Sequence, residues 1–434
     1  MTAEISARRR RDIIDALRRG VVPSNGLDAL AVGLDRFTVA LDDDLDRVAG
    51  GGSVFKAVRG EYGAGKTFFT RWLAERAKRR GFAAAEVQIS ELETPLHRME
   101  TVYRRLAEHL STEQFAPSAF RPVLDGWIFA LEEDVLAAGG IAEDDAEALD
   151  RAVGELLERR LGDISRSTPA FAAALRGYRA AAARGDHLTA DGLAAWLGGQ
   201  PHVAVSARRV AGVKGDLDHY GALNFLRGLL TVLRDSGHQG LLLVLDEVET
   251  LQRVRSDARD KALNALRQLI DEVHADRFPG LLLVITGTPA FFDGPQGVQR
   301  LAPLAQRLAT DLGPDPRWDN PRATQLRLAG FTVDALMDLG RKVREVYASA
   351  EVDARVDDDY LALLARAVTG ALGGQVGVAP RVYLKKLVAD VFDRVDQFAE
   401  WDPRVHYQLT LRPDELTEVE RNAAASADDV ELSL

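Results

Sequence analysis

Two hydrophobic patterns share this chain. At 240–245 and 280–285 a glycine is followed by five uninterrupted apolar residues, Leu-Leu-Leu-Val-Leu and Leu-Leu-Leu-Val-Ile, as in strands buried on both faces. Residues 53–59 and 84–89 read as two further strands. Elsewhere the apolar positions return every three or four residues and predict helices. One spans 5–19, with Ile13, Ile14 and Leu17 on one side and Gly20 as its stop. Another runs from Lys66 through Phe68, Phe69, Trp72 and Leu73, and a third covers 99–110 with Val102, Leu106 and Leu110 in step. Later helices are expected at 223–233, 259–273, 333–347, 358–368 and 380–398, the last with proline just inside its start. Residues 21–27 and the polar stretch through Asp42 to Asp46 read as connectors.

Strands separated by helices imply a parallel sheet flanked by helices, an α/β class. Between about 111 and 215 the chain is alanine-rich and helical, with loop signals at Gly139-Gly140, Thr168-Pro169 and 198–201, and reads as a large helical insertion. The expected organisation is an N-terminal helix and connector over 1–48, a core over 49–330 containing that insertion, a small all-helical domain over 331–400, and an acidic tail over 401–434. Residues 414–434 hold seven acids and one base, so they supply -6 of the net charge of -11.

That acidic balance argues against a chain coated in positive charge that holds nucleic acid by bulk electrostatics. It leaves local patches: Arg76, Lys78, Arg79 and Arg80; Arg104 and Arg105; Arg208, Arg209 and Lys214. Each also reads as a solvated helix face. With no cysteine, disulfides, thiolate nucleophiles and the usual zinc fingers are excluded. The eight histidines show no ligand spacing. No apolar run reaches the length of a membrane span, and the expectation is a cytoplasmic protein without a membrane partner.

Between the first strand and its helix lies Gly60-Glu61-Tyr62-Gly63-Ala64-Gly65-Lys66-Thr67, a complete G-x-x-x-x-G-K-[ST] phosphate loop, with Phe68 next. Glycines let backbone N–H groups wrap a β-phosphate, and the helix N-terminus adds a favourable dipole. Lys66 reaches β and γ oxygens, and Thr67 offers its hydroxyl to Mg2+. The plain alternative is a glycine turn that starts a helix. Such a loop requires an acid at the end of a buried strand, which Asp246 and Glu247 supply. Asp246 takes the magnesium role and Glu247 polarises water. Glu249 is a substitute base or a surface acid.

The next strand ends Thr286-Gly287-Thr288, and either hydroxyl could sense a γ-phosphate. Arg307, with Arg300 behind it, could reach a neighbouring subunit's phosphate. Arg381, in the first turn of its helix, is disfavoured by the dipole unless an anion lies there too.

These pieces, in this order, resemble an AAA+ ATPase of the origin-recognition branch. The resemblance implies a P-loop NTPase core with an all-helical lid and ATP with Mg2+ as cofactors. It places Thr286 or Thr288 at sensor 1, Arg307 as the arginine finger, Arg381 at sensor 2, and adenine contacts near 22–27. More narrowly, 13–23, Gly26-Leu27 and 31–34, together with the phosphate loop, resemble the BrxD family of ATP-binding proteins of BREX phage defence. Two departures stand out: 180 residues separate Lys66 from Asp246, and about 35 residues after the lid leave no room for a winged-helix DNA-binding domain. The resulting expectation is an ATPase that hydrolyses ATP as a homo-oligomer to load or remodel a DNA-associated partner, alongside other phage-defence proteins. A nucleotide-gated scaffold with little turnover is the alternative from another class, and a phosphotransferase acting on a small molecule is a third.

Overall fold

The computed structural model describes residues 5–115, 117–139, 145–374, 377, 379–417 and 420–422. The predicted loop signal at Gly140 and the acidic end over 423–434 lie outside them. Among the described residues there are five strands: β1 (Ser53–Arg59), β2 (Ala83–Gln88), β3 (Leu241–Asp246), β4 (Leu281–Gly287) and β5 (Gln325–Arg327). The fold is a mixed α/β arrangement with a parallel sheet flanked by helices, as a P-loop NTPase requires.

The chain divides into two compact units. One draws on 1–40, 58–75 and 311–434, the other on 41–57 and 76–310. In the second unit the strand order is β2-β3-β4-β1. β2 with β3 and β3 with β4 are parallel, in registers that set Gln88 beside Asp246 and Leu245 beside Ile285. All six residues of β3 and all seven of β4 are buried, which is why their sequences lack alternation. From Met99 to Asp235 the described residues are mainly helical, and Ser111 bridges back to Ala84 of β2. Phe225 sits among Phe171, Trp196 and Tyr103, ring centres 5.0, 5.2 and 5.8 Å away in edge-on contacts, so this helical region has an aromatic core.

The first unit has its own core, in which Ile13, Ile14 and Leu17 of helix Ala7–Arg18 pack with Leu336, Leu339 and Val343 of helix Val333–Tyr347 and with Tyr383, Val388 and Phe392. Ser6 caps the first of these helices, and Thr332 and Asp357 cap two later ones. The last two residues of β1 fall in this unit, where Leu328, just past β5, donates to the Arg59 carbonyl at 2.8 Å.

Two expectations need correction. The polar stretch through Asp42 to Asp46 is no connector; it lies in helix Asp35–Ala49. Its acids mask Phe37, Leu41, Leu45 and Val48, all buried and spaced for one helical face. The helix expected over 380–398 is broken into Ala379–Lys385, a wider π-type turn over Lys386–Phe392, and Asp393–Gln397. Lys386, 5% exposed, reaches Asp390 at 3.2 Å and Glu415 at 2.8 Å from that turn.

Glu415 thereby meets Lys386, Lys385 at 3.7 Å and Arg412 at 3.1 Å. Burial alone would raise its pKa, but the hydrogen bonds from Lys386 and Arg412 hold it down at about 2. A depressed carboxylate stabilises the fold fully above the ordinary glutamate value of about 4.3, and that stabilisation is lost as pH falls toward the folded value. Chemical unfolding of Glu415→Gln is therefore expected to lose less stability than wild type across this acid range, with the two curves parallel near neutrality.

Candidate functional site

The phosphate loop and Arg381 fall in the first unit; Asp246, Glu247, Thr286, Thr288 and Arg307 fall in the second. In the first, β1 runs into Gly60, and helix Lys66–Arg79 begins where the loop ends. Gly63 and Gly65 hold φ of +79° and +88°, a left-handed conformation that β-carbons disfavour, so these two glycines are demanded by the turn itself. The loop closes with Ala64 N–H to Glu61 carbonyl at 3.1 Å, and the helix starts with Phe69 N–H to Gly65 carbonyl at 2.8 Å. Lys66 is buried, its Nζ donating to the carbonyls of Gly60 at 2.9 Å and Glu61 at 3.3 Å and lying 5.1 Å from the exposed Tyr62 ring centre. Thr67 and Phe68 are half-buried, with Phe68 against the unit's core.

The same helix grips the connector ahead of β1. Glu75, buried, accepts the N–H groups of Gly26 at 2.9 Å and Leu27 at 2.8 Å, one on each carboxylate oxygen. Trp72 Nε1 donates to Asp28 at 2.7 Å and Arg71 to the Val22 carbonyl at 3.3 Å. Phosphate loop and connector are thus tied through one helix. Sequence reading missed Glu75 because an acid on a helix next to a basic run looks like a surface ion pair.

Gly377, ahead of helix Ala379–Lys385, comes close enough that a β-carbon there would lie 3.9 Å from the Tyr62 carbonyl. Within that helix Arg381 makes a two-pronged contact with Glu420, Nε to Oε1 at 2.7 Å, and also donates to the Glu415 carbonyl at 2.7 Å. Burial opposes ionisation of Glu420, but Arg381 and the Thr417 N–H hold its pKa below the usual range. The anion that the position of Arg381 calls for is, in this structure, a carboxylate of the chain itself.

In the second unit, Asp246 ends β3 with 5% exposure, and the fully buried Thr286 donates its hydroxyl to Asp246 Oδ1. The Thr286 oxygen also accepts the Glu247 N–H at 3.1 Å. One hydroxyl therefore orients both acids. Glu247 adopts φ +58°, ψ 42°, left-handed for a residue with a side chain, a strained conformation of the kind held at functional positions. Its Oε2 accepts from Gln88 Nε2 at 2.9 Å. Gln88 went unread in the sequence. It is the last residue of β2, and its register partner is Asp246, a pairing that no local pattern announces.

Thr288 is buried and precedes the short helix Pro289–Asp293 without capping it through its side chain. Glu249 is 4% exposed, which removes the surface reading of that acid. Arg307 binds Asp271 and donates to the Pro303 carbonyl at 2.7 Å, while Arg300 binds Asp260 and Ser256.

Among the described residues no three His, Cys, Asp or Glu side chains group as a metal site. Thr67 in the first unit and Asp246 in the second each offer an oxygen donor of the kind Mg2+ takes. Among the same residues no helix is long and apolar enough to cross a membrane.

No curated protein and no solved structure gives a significant match to the chain. One family model does, over residues 5–411, which takes in the connector, the phosphate loop, both acids and Arg381. The chain belongs to the BREX system ATP-binding protein BrxC/D family.

Proposed function

We propose that this ATP-binding protein of BREX phage defence is a Mg2+-dependent AAA+ ATPase that hydrolyses ATP as a homo-oligomer. The observation that carries this reading is the phosphate loop itself, its left-handed glycines setting backbone amides and Lys66 at the start of a helix. In the proposed reaction, loop amides and Lys66 bind the triphosphate, Asp246 and Thr67 would hold Mg2+, and Glu247 accepts the proton of the attacking water. When bound, Mg2+ would supply charge neutralisation to the phosphates. Thr286 keeps Asp246 and Glu247 in fixed orientation, and Thr288, just past the end of β4, is the second hydroxyl that would sense the γ-phosphate. Arg307, or Arg300, completes a neighbour's site across a subunit contact after leaving its aspartate, and Arg381, in the helical lid over 331–400, meets phosphate in place of Glu420. Turnover would drive the loading or remodelling of a DNA-associated partner in phage defence. The alternative is a scaffold that binds ATP, changes assembly state and hardly turns over.

Lys66→Ala is expected to abolish ATP binding in isothermal titration; unchanged affinity would overturn the phosphate-loop assignment. Phosphate release by Glu247→Gln is expected to fall about 100-fold or more, the scale of a lost general base. An equally low rate in wild type and variant would support the scaffold.

Gln88→Ala removes a donor that restrains the Glu247 carboxylate. A gain of about fivefold in basal hydrolysis, the equivalent of one hydrogen bond of about 1 kcal/mol, is expected in a steady-state assay.

Because Glu75 holds the connector that would face adenine, Glu75→Ala is expected to weaken ATP about tenfold, the cost of orphaning buried N–H groups, and to spare tripolyphosphate. Competition titrations with the two ligands check this split, and parallel losses would mean that Glu75 acts on the phosphate loop instead.

A further inference from the structure

The basic runs visible in the sequence are largely paired in the fold. Arg76 and Arg80 meet Asp42 at 2.5 and 2.9 Å, Arg105 meets Glu108 and Glu93 at 2.9 and 3.1 Å, and Arg208 donates to the Gly215 carbonyl at 3.1 Å. A different cationic group is assembled in the second unit from residues that no run announces. Arg227 and Arg234, on helix His219–Asp235, and Arg277, just past helix Ser256–His274, line a cavity of about 580 Å³ with Thr231, His238 and Gln239. The cavity lies where β3 and β4 begin, at the opposite end of the strands from Asp246.

Carboxylates here are fewer than guanidinium groups. Glu272 serves both Arg227, at 2.6 Å, and Arg277, at 3.6 Å. Asp235, also on the wall, is taken by Trp127 Nε1 at 2.6 Å and by Arg160. Arg234 has no side-chain hydrogen bond or ion pair among the described residues. Burial holds the His238 pKa below its ordinary value, so the ring adds no charge at neutral pH.

Arg234 is nonetheless placed. Its side chain passes over Gly280 and Gly51, where β-carbons would lie 2.7 Å from its Cδ and 3.1 Å from its Nη2. Both glycines are left-handed, with φ of +88° and +92°. Capping its own helix does not explain this position, because Ser236, Gly237 and His238 N–H groups already close the last turn onto the carbonyls of Val232, Arg234 and Leu233. Arg227 is fixed by Glu272, by its 3.2 Å bond to the Arg277 carbonyl and by the Phe278 ring 5.2 Å away. Arg234 and Arg277 are themselves exposed, so the result is an open groove whose wall carries unneutralised charge, in a chain whose net charge is -11.

We propose that this cavity is a second oxyanion site, which takes a phosphate group through Arg234 and Arg277 while Arg227 holds the wall. The shared chemistry is a phosphate oxygen, carried by a free phosphate compound or by a nucleic-acid backbone. The test uses full-length Lys66→Ala protein, so that the phosphate loop does not contribute. Pyrophosphate binding by calorimetry and binding of a short labelled DNA duplex by anisotropy are compared with and without Arg234→Gln or Arg277→Ala. Pyrophosphate is expected to bind, and each added substitution to weaken it about tenfold, the effect of one charged hydrogen bond. Duplex binding that falls with salt, with a slope reduced by about one unit in Arg234→Gln, would assign the phosphate to nucleic acid. Pyrophosphate binding without duplex binding would assign it to a free compound. Absence of both, or affinities equal to the parent in correctly folded variants, overturns the site. The outcome is separate from the nucleotide reading, which stands or falls on ATP binding by the protein with Lys66 intact.

Discussion

An ionised side chain on a strand buried on both faces must find partners. β3 meets this constraint at Asp246, whose carboxylate takes the hydroxyl of Thr286 from the adjacent strand. That single hydrogen bond does more than satisfy one oxygen. The Thr286 oxygen also receives the N–H of Glu247, at the residue where the backbone turns left-handed. The direction in which Glu247 leaves the sheet, and so its meeting with Gln88, follows from the same contact. Parallel register makes this possible by bringing the ends of β2, β3 and β4 to one edge.

Much of the sheet and the phosphate loop was legible in the sequence because each is written locally. Five apolar residues after a glycine mean a buried strand, and Gly63 and Gly65 answer to backbone angles rather than to neighbours. Helix Asp35–Ala49 was missed for an equally physical reason: four aspartates between Leu41 and Arg47 mask a buried stripe that includes Phe37, Leu41, Leu45 and Val48. β5 is three residues long, too short to leave a period. The partners of the candidate residues were not legible at all. Gln88, Glu75 and Glu420 each owe their role to a residue far along the chain, and no spacing rule reaches that distance. The family match agrees with what was read at residues 13–34 and 60–67.

Charge tells a similar story. Arginine runs such as 76–80 look like candidate surfaces when read alone, yet the folded chain sets aspartates of helix Asp35–Ala49 against them. The surplus arises instead where separate helices end beside the starts of β3 and β4. Counting charges by segment therefore gives the wrong surface, since ion pairs form between segments.

The contacts of Glu415 and Glu420 lie past residue 411, where the family match stops. A truncation designed on that boundary would strip Arg381 of both its acceptors and leave the nearly buried ammonium of Lys386 with Asp390 alone. Such a shortened protein would report the behaviour of cations stripped of their acids, not of the intact chain. The few residues beyond the shared region thus act as an internal counterion, and domain boundaries drawn from family alignments should be extended to include them.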